Sequence, residues 1–118
     1  MLIGIGTDIV EISRFMNIKQ NVIEKIFTST EIIYISRKKV ETLAGIFAAK
    51  ESVAKCFGCG FEKFSIRDIE ILHDKKNAPL VKLHNAALKF SQQLKVTNIK
   101  VSISHCKDFA VAFAIAET

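Results

Sequence analysis

The longest helical signal in the chain covers residues 40–57, and it constrains the fold more than any other feature. Leu43, Ile46 and Val53 form part of one apolar stripe, and the alanines between them favour a helix. A glycine-containing turn follows the last helical residue and ends the segment. A helix of this kind has to bury its stripe against a second layer, so the flanking segments must supply one.

Segments on both sides of this helix alternate apolar and polar residues, which predicts strands. The first covers residues 2–8, where Gly4 and Gly6 permit close backbone approach and Asp8 falls at the strand end. The other predicted strands cover residues 63–74 (with one irregularity), 80–84, 98–105 and 108–117. Residues 106–108 predict a hairpin between the last two strands.

Shorter helices complete the prediction. They cover residues 11–18, 20–27 and 85–94, and one more begins after a cap at Ser29 or Thr30. Asn85 is the expected cap of the helix over 85–94. The predicted fold is α+β: a single domain over residues 1–118 with a long central helix packed on a mostly antiparallel sheet.

Composition limits the classes of function. The chain has 118 residues, of which 49% are apolar and 25% charged, so it is globular with a modest core that oligomer burial would help. A net charge of +5 indicates an anionic partner: nucleic acid, a phosphorylated small molecule or an acidic protein. Nucleic acid is the weakest of the three, because no RNA-binding aromatic motif or helix-turn-helix signature is present.

The same composition predicts a cytoplasmic protein that does not enter a membrane. No apolar stretch is long enough to span a bilayer, and the apolar N-terminus lacks a basic leader and is interrupted by Asp8 and Glu11. The three cysteines, an odd number without a secretion signal, are expected to be free thiols in a reducing compartment.

The central helix carries an unexpected charged trio: Lys50, Glu51 and Lys55. Glu51 and Lys55 are four residues apart in the favourable order for a helix ion pair, so a solvated salt bridge is one interpretation. Asp8 could likewise cap the helix that follows it, and His105 could be a structural histidine bonded to a backbone carbonyl.

A second interpretation joins these residues in one site. Mg²⁺ usually binds one or two protein carboxylates together with water and substrate phosphates. Asp8 and Glu51 could supply the carboxylates, while Lys50, Lys55 and His105 could meet phosphate charge. Sequence separation alone does not bring these side chains together, so both interpretations stay open at this point.

Other chemistries are less well supported. Cys56 and Cys59 form a CxxC pair that Cys106 and His105 could complete as a zinc set, but the pair straddles a helix end. A thioredoxin-like site would place the pair at a helix start, and the glycines near the N-terminus form neither GxGxxG nor Walker A. Cys106 and His105 are adjacent strand residues that face opposite sides, which disfavours a nucleophile pair. The thiols are therefore expected to be small buried or partly buried apolar groups.

Four segments together resemble one family. "IGIGTDIVEISRF", "FTSTE", "LAGIFAAKESVAKCFGCGF" and "VSISHCKDFAVAFAIAE" are similar, in that order, to the holo-[acyl carrier protein] synthases, which are 4′-phosphopantetheinyl transferases. The resemblance runs from Ile3 to Glu117 and so covers nearly the whole chain. It implies Mg²⁺-dependent transfer of the phosphopantetheine arm of coenzyme A to a serine of apo acyl carrier protein, releasing adenosine 3′,5′-bisphosphate. It also implies a homotrimer with active sites between subunits.

The resemblance assigns roles residue by residue. Asp8 and Glu51 would bind Mg²⁺, Lys55 would act at the reacting phosphate or acceptor serine, and Arg14 would contact the acidic carrier protein. The residues implied for coenzyme A are Lys50, Gly58, Gly60, Ser104 and His105, the last contributed across a subunit boundary.

Two departures from the family pattern bear on these expectations. Ile46 stands where the family commonly has an arginine that contributes to phosphate binding, so coenzyme A affinity would depend more on other cations. Ala78 precedes Pro79 in a turn where the family has an Asn/Asp-Gly-x-Pro sequence. The Ile46 departure leaves one alternative function: a catalytically silent module that binds phosphate groups or carrier protein.

Overall fold

A three-stranded antiparallel sheet with the order β1-β5-β4 forms the base of the molecule. The computed structural model describes all residues from Met1 to Thr118. The strands are β1 (Leu2–Glu11), β4 (Asn98–His105) and β5 (Phe109–Glu117). Alternate residues of β5 face inward, and all four of these are alanines with at most 1% exposure: Ala110, Ala112, Ala114 and Ala116. Their small side chains leave room for a helix to pack close to the sheet.

Helix α3 (Val40–Cys56) fills that space and crosses the sheet diagonally. Its C-terminal half lies against β1. A Cβ added to Gly4 would come within 2.0 Å of the Cys56 carbonyl oxygen, and one added to Gly6 would come within 1.9 Å of the Ser52 carbonyl oxygen. Its N-terminal half lies near β4, where a Cβ on Gly45 would meet Ile103. The glycines therefore let the helix backbone touch the sheet, as the sequence predicted for β1.

A second, two-stranded antiparallel sheet packs beside the first. It consists of β2 (Ile69–His73) and β3 (Pro79–Leu83), and α4 (Asn85–Gln93) follows it. Three phenylalanine rings pack edge-on or tilted beneath this part, with centroids 5.7–6.1 Å apart: Phe57, Phe64 and Phe90. This cluster closes the core at the C-terminal end of α3.

Two short helices, α1 (Gln20–Ile26) and α2 (Ser29–Ile35), precede α3; α2 packs against α3, and α1 packs against α2. A capping box begins α2: the Thr28 hydroxyl accepts from the Glu31 N–H, and the Glu31 carboxylate accepts from the Thr28 N–H. A 3₁₀ turn over Ile12–Phe15 links β1 to this region. None of the helices is both long and apolar enough to cross a bilayer.

The predicted α+β class and the central helix are confirmed, and several local predictions are wrong. The sequence predicted a single sheet, whereas the structure has one sheet of three strands and another of two. The strand predicted over 63–74 is a 3₁₀ turn at Ile66–Asp68 followed by β2, since the Ser65 hydroxyl caps that turn. The cap of α2 is Thr28, and His84 stands at the cap position of α4. Asn85 instead adopts φ 49° and donates its amide to Asp68.

The outer face of the three-stranded sheet is apolar and uncovered. Five large side chains on it are 36–64% exposed: Ile5, Ile9, Phe109, Val111 and Phe113. We call these five residues the outer apolar face. Contiguous apolar surface of this kind on a small chain indicates contact with another protein surface.

Replacing Gly6 by alanine tests the close approach of α3 to β1. The new methyl would overlap the Ser52 carbonyl oxygen, so helix and strand must separate, and we expect a loss of about 3 kcal/mol in the free energy of unfolding. Gly60→Ala is the control, since an added Cβ there meets nothing and only its φ of 60° costs roughly 1 kcal/mol. Urea denaturation measures both. Equal losses would contradict the packing argument.

Candidate active site

Asp8 lies on the inward face of β1, one inward position after Gly6, and not at a strand end. The strand continues to Glu11, so Asp8 does not cap a helix and that alternative is wrong. Its side chain is only 16% exposed. Its Oδ2 atom is buried and has no hydrogen-bond partner. A buried carboxylate oxygen without a donor is costly unless a ligand or ion satisfies it.

Lys55 approaches Asp8 from α3. Its Nζ donates to the Thr7 carbonyl oxygen at 2.8 Å and to Asp8 Oδ1 at 3.2 Å. The predicted ion pair with Glu51 on the same helix is not formed, because the close packing of α3 on β1 offers Lys55 these partners instead. The Lys55 side chain is 51% exposed, so its ammonium group stays open to a ligand from solvent.

Glu51 completes the group from the same helix. Burial raises the pKa of its carboxyl group above the ordinary value, the Asp8 carboxylate raises it further, and Lys55 and Arg14 oppose the shift. Because Glu51 and Lys55 are four residues apart on one face of α3 and Lys55 contacts Asp8, the two carboxylates face the same part of the α3–β1 contact. Asp8 from β1 therefore shares a single partly exposed site with Glu51 and Lys55 from α3.

This pair of carboxylates fits a magnesium ion better than a metal that needs more protein ligands. No group of three or more His, Cys, Asp or Glu side chains is placed to hold a metal ion. The zinc set of Cys56, Cys59, Cys106 and His105, which the sequence already disfavoured, is therefore not assembled. Mg²⁺ needs only one or two carboxylates, with water and phosphate oxygens as its other ligands, and the partnerless Oδ2 of Asp8 suits such a role.

Lys50 does not belong to this site, which corrects its predicted contact with coenzyme A. The side chain is fully buried, and its Nζ donates to Glu31 Oε1 at 2.5 Å. The Nζ also lies 5.3 Å from the centroid of the Phe27 ring. Burial lowers the pKa of the Lys50 ammonium group, and the Glu31 carboxylate opposes that shift. No ligand can reach this lysine in the folded chain.

His105 lies at the other edge of the sheet. Asp8 pairs with Ala112 on β5, which pairs with Ile103 on β4, so β4 lies two strands, or roughly 10 Å, from β1. His105 is exposed and makes no hydrogen bond to a backbone carbonyl, so the structural role is not observed. Ser104 is exposed beside it. Within one chain, these two residues are separated from the carboxylate pair.

Three other predicted residues are accessible. Gly58 and Gly60 adopt φ 77° and 60° in the turn after α3, with open space around both. Arg14 lies in the 3₁₀ turn after β1, with its guanidinium 5.6 Å from the Phe15 ring centroid. Its positive charge opposes the rise in the pKa of the Glu51 carboxyl group. Arg14 is thus a surface cation beside the site.

A cavity of about 160 Å³ that the sequence did not reveal lies near His105. Tyr34 and His73 form one wall as parallel rings 4.0 Å apart, and the Tyr34 hydroxyl donates to Asn77. Ile46 lines the cavity from α3 but is only 1% exposed. Tyr34 comes from α2, whereas His73 and Asn77 come from the β2–β3 hairpin, so no local motif marks all three.

The cysteines differ in environment. Cys56 is buried, and burial raises the pKa of its thiol to about 11, so it is an inert apolar group. Cys59 is half-buried, as expected. Cys106 is exposed in the β4–β5 hairpin, which corrects the prediction that all three are at least partly buried.

Comparison with known proteins gives consistent matches over the whole chain. A family model described as the 4′-phosphopantetheinyl transferase superfamily matches residues 4–114. A holo-[acyl-carrier-protein] synthase of Caldicellulosiruptor saccharolyticus is 48% identical, covering 99% of this chain and 98% of that protein. The crystal structure of the Neisseria meningitidis holo-[acyl-carrier-protein] synthase has a TM-score of 0.91 at 34% identity, covering 100% of both chains. That of the Helicobacter pylori enzyme in complex with coenzyme A has a TM-score of 0.85 at 31% identity, covering 96% of this chain and 99% of that one.

The raised pKa of Glu51 predicts that this carboxylate destabilises the fold. A carboxyl group with a raised folded-state pKa penalises the folded state above that pKa, and the penalty vanishes below the ordinary value of 4.5. Glu51→Gln should therefore raise the free energy of unfolding at pH 8, and the gain should shrink as the pH falls toward 4.5. Urea denaturation across this pH range measures it.

Glu24→Gln, which neutralises an exposed acid on α1, serves as the control and should change stability little at any pH. A Glu51→Gln variant that is less stable than the unaltered chain at pH 8 would contradict the raised pKa of the Glu51 carboxyl group.

Proposed function

The chain belongs to the 4′-phosphopantetheinyl transferase superfamily, and from that premise we propose that it is a holo-[acyl carrier protein] synthase. It transfers the 4′-phosphopantetheine arm of coenzyme A to a serine of apo acyl carrier protein and releases adenosine 3′,5′-bisphosphate. The observation that carries this proposal is the 48% identity to a holo-[acyl-carrier-protein] synthase across 99% of the chain. The likeness to an enzyme solved with coenzyme A supports the donor.

We propose that the reaction depends on Mg²⁺ held by Asp8 and Glu51. Bound there, Mg²⁺ would neutralise pyrophosphate charge and fix its orientation. The partnerless Oδ2 of Asp8 and the acidic partner beside it support this assignment. Both carboxylates come from rigid elements, β1 and α3, so they are organised before substrate arrives.

Lys55 has a separate role in the proposal. Its ammonium group is half-exposed and already aligned by two acceptors, Thr7 and Asp8. A fixed cation at this point can stabilise charge that develops on the transferred phosphoryl group or hold the acceptor serine. Lys55 is thus the chain's own positive charge at the reacting atoms.

We propose that the working enzyme is a homotrimer with its active sites between subunits. The outer apolar face supplies an uncovered surface for the contact. His105 and Ser104 lie two strands from Asp8, so their proposed contacts with coenzyme A suit the site of a neighbouring subunit. Gly58 and Gly60 would contact the nucleotide end from the same subunit as Glu51.

The acceptor protein is proposed to dock beside Arg14. The chain carries a net charge of +5, and Arg14 presents one of these charges next to the carboxylate pair. An acidic carrier protein would be attracted to this surface. We propose that the protein is cytoplasmic, which its three free thiols support, and that its carrier protein serves fatty acid biosynthesis.

The alternative, a silent binding module, has its only support in Ile46. This side chain is 1% exposed and packs in the core beside the cavity, so it offers no charge to a phosphate. Since Asp8, Glu51 and Lys55 remain together, the metal and the reacting groups do not depend on that position. The transferase therefore accounts for more of the site than the silent module does.

Intact-mass spectrometry of an apo acyl carrier protein tests the activity directly. With coenzyme A and Mg²⁺, the carrier should gain the mass of one phosphopantetheine, and EDTA should prevent the gain. Asp8→Ala or Glu51→Ala should lower transfer by about 100-fold or more because each removes a metal ligand, while Glu24→Ala on α1 should keep full activity.

Retained activity in the Asp8→Ala or Glu51→Ala protein would refute the metal assignment but not the transfer. A folded chain that yields no mass gain with a competent carrier would favour the silent module, and Ile46→Arg would then be the first variant to assay.

Introducing a charge on the outer apolar face tests the trimer. Phe113→Glu should convert the trimer to monomers in sedimentation velocity, because a buried unpaired carboxylate costs several kcal/mol per subunit. Transfer activity should fall with it. Leu88→Glu changes a similarly exposed leucine on α4, 41% exposed against 48% for Phe113, and should leave the trimer intact. A monomeric unaltered chain with full activity would contradict the proposal.

A further inference from the structure

The core contains one buried ion pair that the proposed reaction does not use. Glu31 is 1% exposed and Lys50 is fully buried, and they are 19 residues apart in the chain. Both charges are removed from water, which is costly unless every oxygen and proton is matched. Such pairs contribute little net stability compared with apolar residues of the same size. What an ion pair offers beyond apolar packing is a fixed orientation of its two side chains.

Glu31 is bonded on every side. Its Oε1 accepts from Lys50 Nζ at 2.5 Å and from the Thr28 N–H at 2.9 Å, while its Oε2 accepts from the Ile71 N–H at 2.8 Å. Thr28 in turn donates its hydroxyl to Glu70 at 2.5 Å. A single carboxylate thus ties the start of α2, the middle of α3 and strand β2 to one point.

These three elements also carry the walls of the cavity near His105. Tyr34 comes from α2, Ile46 from α3 and His73 from the end of β2. Their mutual placement depends on how α2, α3 and β2 are joined. The Glu31 carboxylate is the polar group that joins all three. It accepts hydrogen bonds from Thr28 at the start of α2, from Lys50 on α3 and from Ile71 on β2.

The ion pair is also linked to Glu51, one of the two carboxylates of the candidate site, through helix α3. Lys50 directly precedes Glu51 on α3, so the two side chains point about 100° apart around the helix axis. The helix rotation that aims Lys50 at Glu31 therefore sets the direction in which Glu51 meets Asp8. The Gly6 contact fixes how close α3 lies to β1, but a small backbone contact alone does not fix rotation.

We propose that the Glu31–Lys50 pair is a positioning element that sets the rotation of α3, and so holds Glu51 in place against Asp8. Lys50 and Glu31 touch neither substrate nor metal; they act through Glu51. This inference rests on the proposed function only in the role given to Glu51. The pair accounts for the presence of a fully buried lysine on α3.

The test compares Lys50→Met with Phe90→Ala on α4, a partly buried ring that packs near Phe57 and Phe64 and takes no part in the hydrogen bonds of Glu31. All proteins are assayed at a temperature at which circular dichroism shows them folded. The readouts are kcat, KM for coenzyme A, and binding of Mn²⁺, used as a probe for the carboxylate pair, by electron paramagnetic resonance without carrier protein.

Lys50→Met should raise the Mn²⁺ dissociation constant about ten-fold and lower kcat by a similar factor, as expected when a group that orients a metal ligand is lost. Phe90→Ala should keep the Mn²⁺ dissociation constant and kcat within about two-fold of the unaltered chain, even if its free energy of unfolding falls as much as that of Lys50→Met. Lys50→Met with both values unchanged would overturn the proposal. Equal losses in Phe90→Ala would also overturn it, because general loosening of the core would then explain the effect.

A double variant, Glu31→Gln with Lys50→Met, covers the case in which the single variant does not fold. It removes both buried charges, so stability should recover relative to the single variant. Impaired Mn²⁺ binding in this stable protein supports positioning, and unaltered binding refutes it. An unaltered chain that neither binds Mn²⁺ nor transfers phosphopantetheine would contradict the proposed function instead, so the two failures are distinguishable.

Discussion

Direct contact between the backbones of α3 and β1 is the constraint on which the site depends. Gly4 and Gly6 leave the Ser52 and Cys56 carbonyl groups in contact with the strand, where a side chain would overlap them. The buried alanines of β5 extend the same close approach across the sheet. Asp8 is the next inward residue of β1, so this contact brings its carboxylate to Glu51 and Lys55.

That approach has an energetic consequence. Two carboxylates share a poorly solvated edge, which raises the pKa of Glu51, and one oxygen of Asp8 has no donor. Lys55 offsets part of this repulsion. A group of charges that is unfavourable to folding but suited to a metal and phosphates is typical of a site selected for binding rather than stability. The packing of α3 on β1 and β5 supplies the folding stability that these charges do not.

The sequence predicted the elements well and the partners of individual charges poorly. The helix of 17 residues, the strands and the close approach at Gly4 and Gly6 follow from periodicity and small residues. Lys50 was placed wrongly because the direction of one side chain depends on Glu31, which belongs to another helix. Likewise the ion pair with Glu51 that one interpretation gave to Lys55 is replaced by hydrogen bonds across to β1. The cavity at Tyr34 and His73 lies where three distant segments meet, and no local pattern signals such a meeting.

The most direct test of the account is a crystal structure of the chain with coenzyme A and Mg²⁺. The account predicts one metal ion bound by Asp8 and Glu51 with the pyrophosphate completing its coordination, Lys55 beside the same phosphates, and Lys50 still bonded to Glu31. A metal ion bound elsewhere, or coenzyme A bound away from the α3–β1 contact, would contradict it.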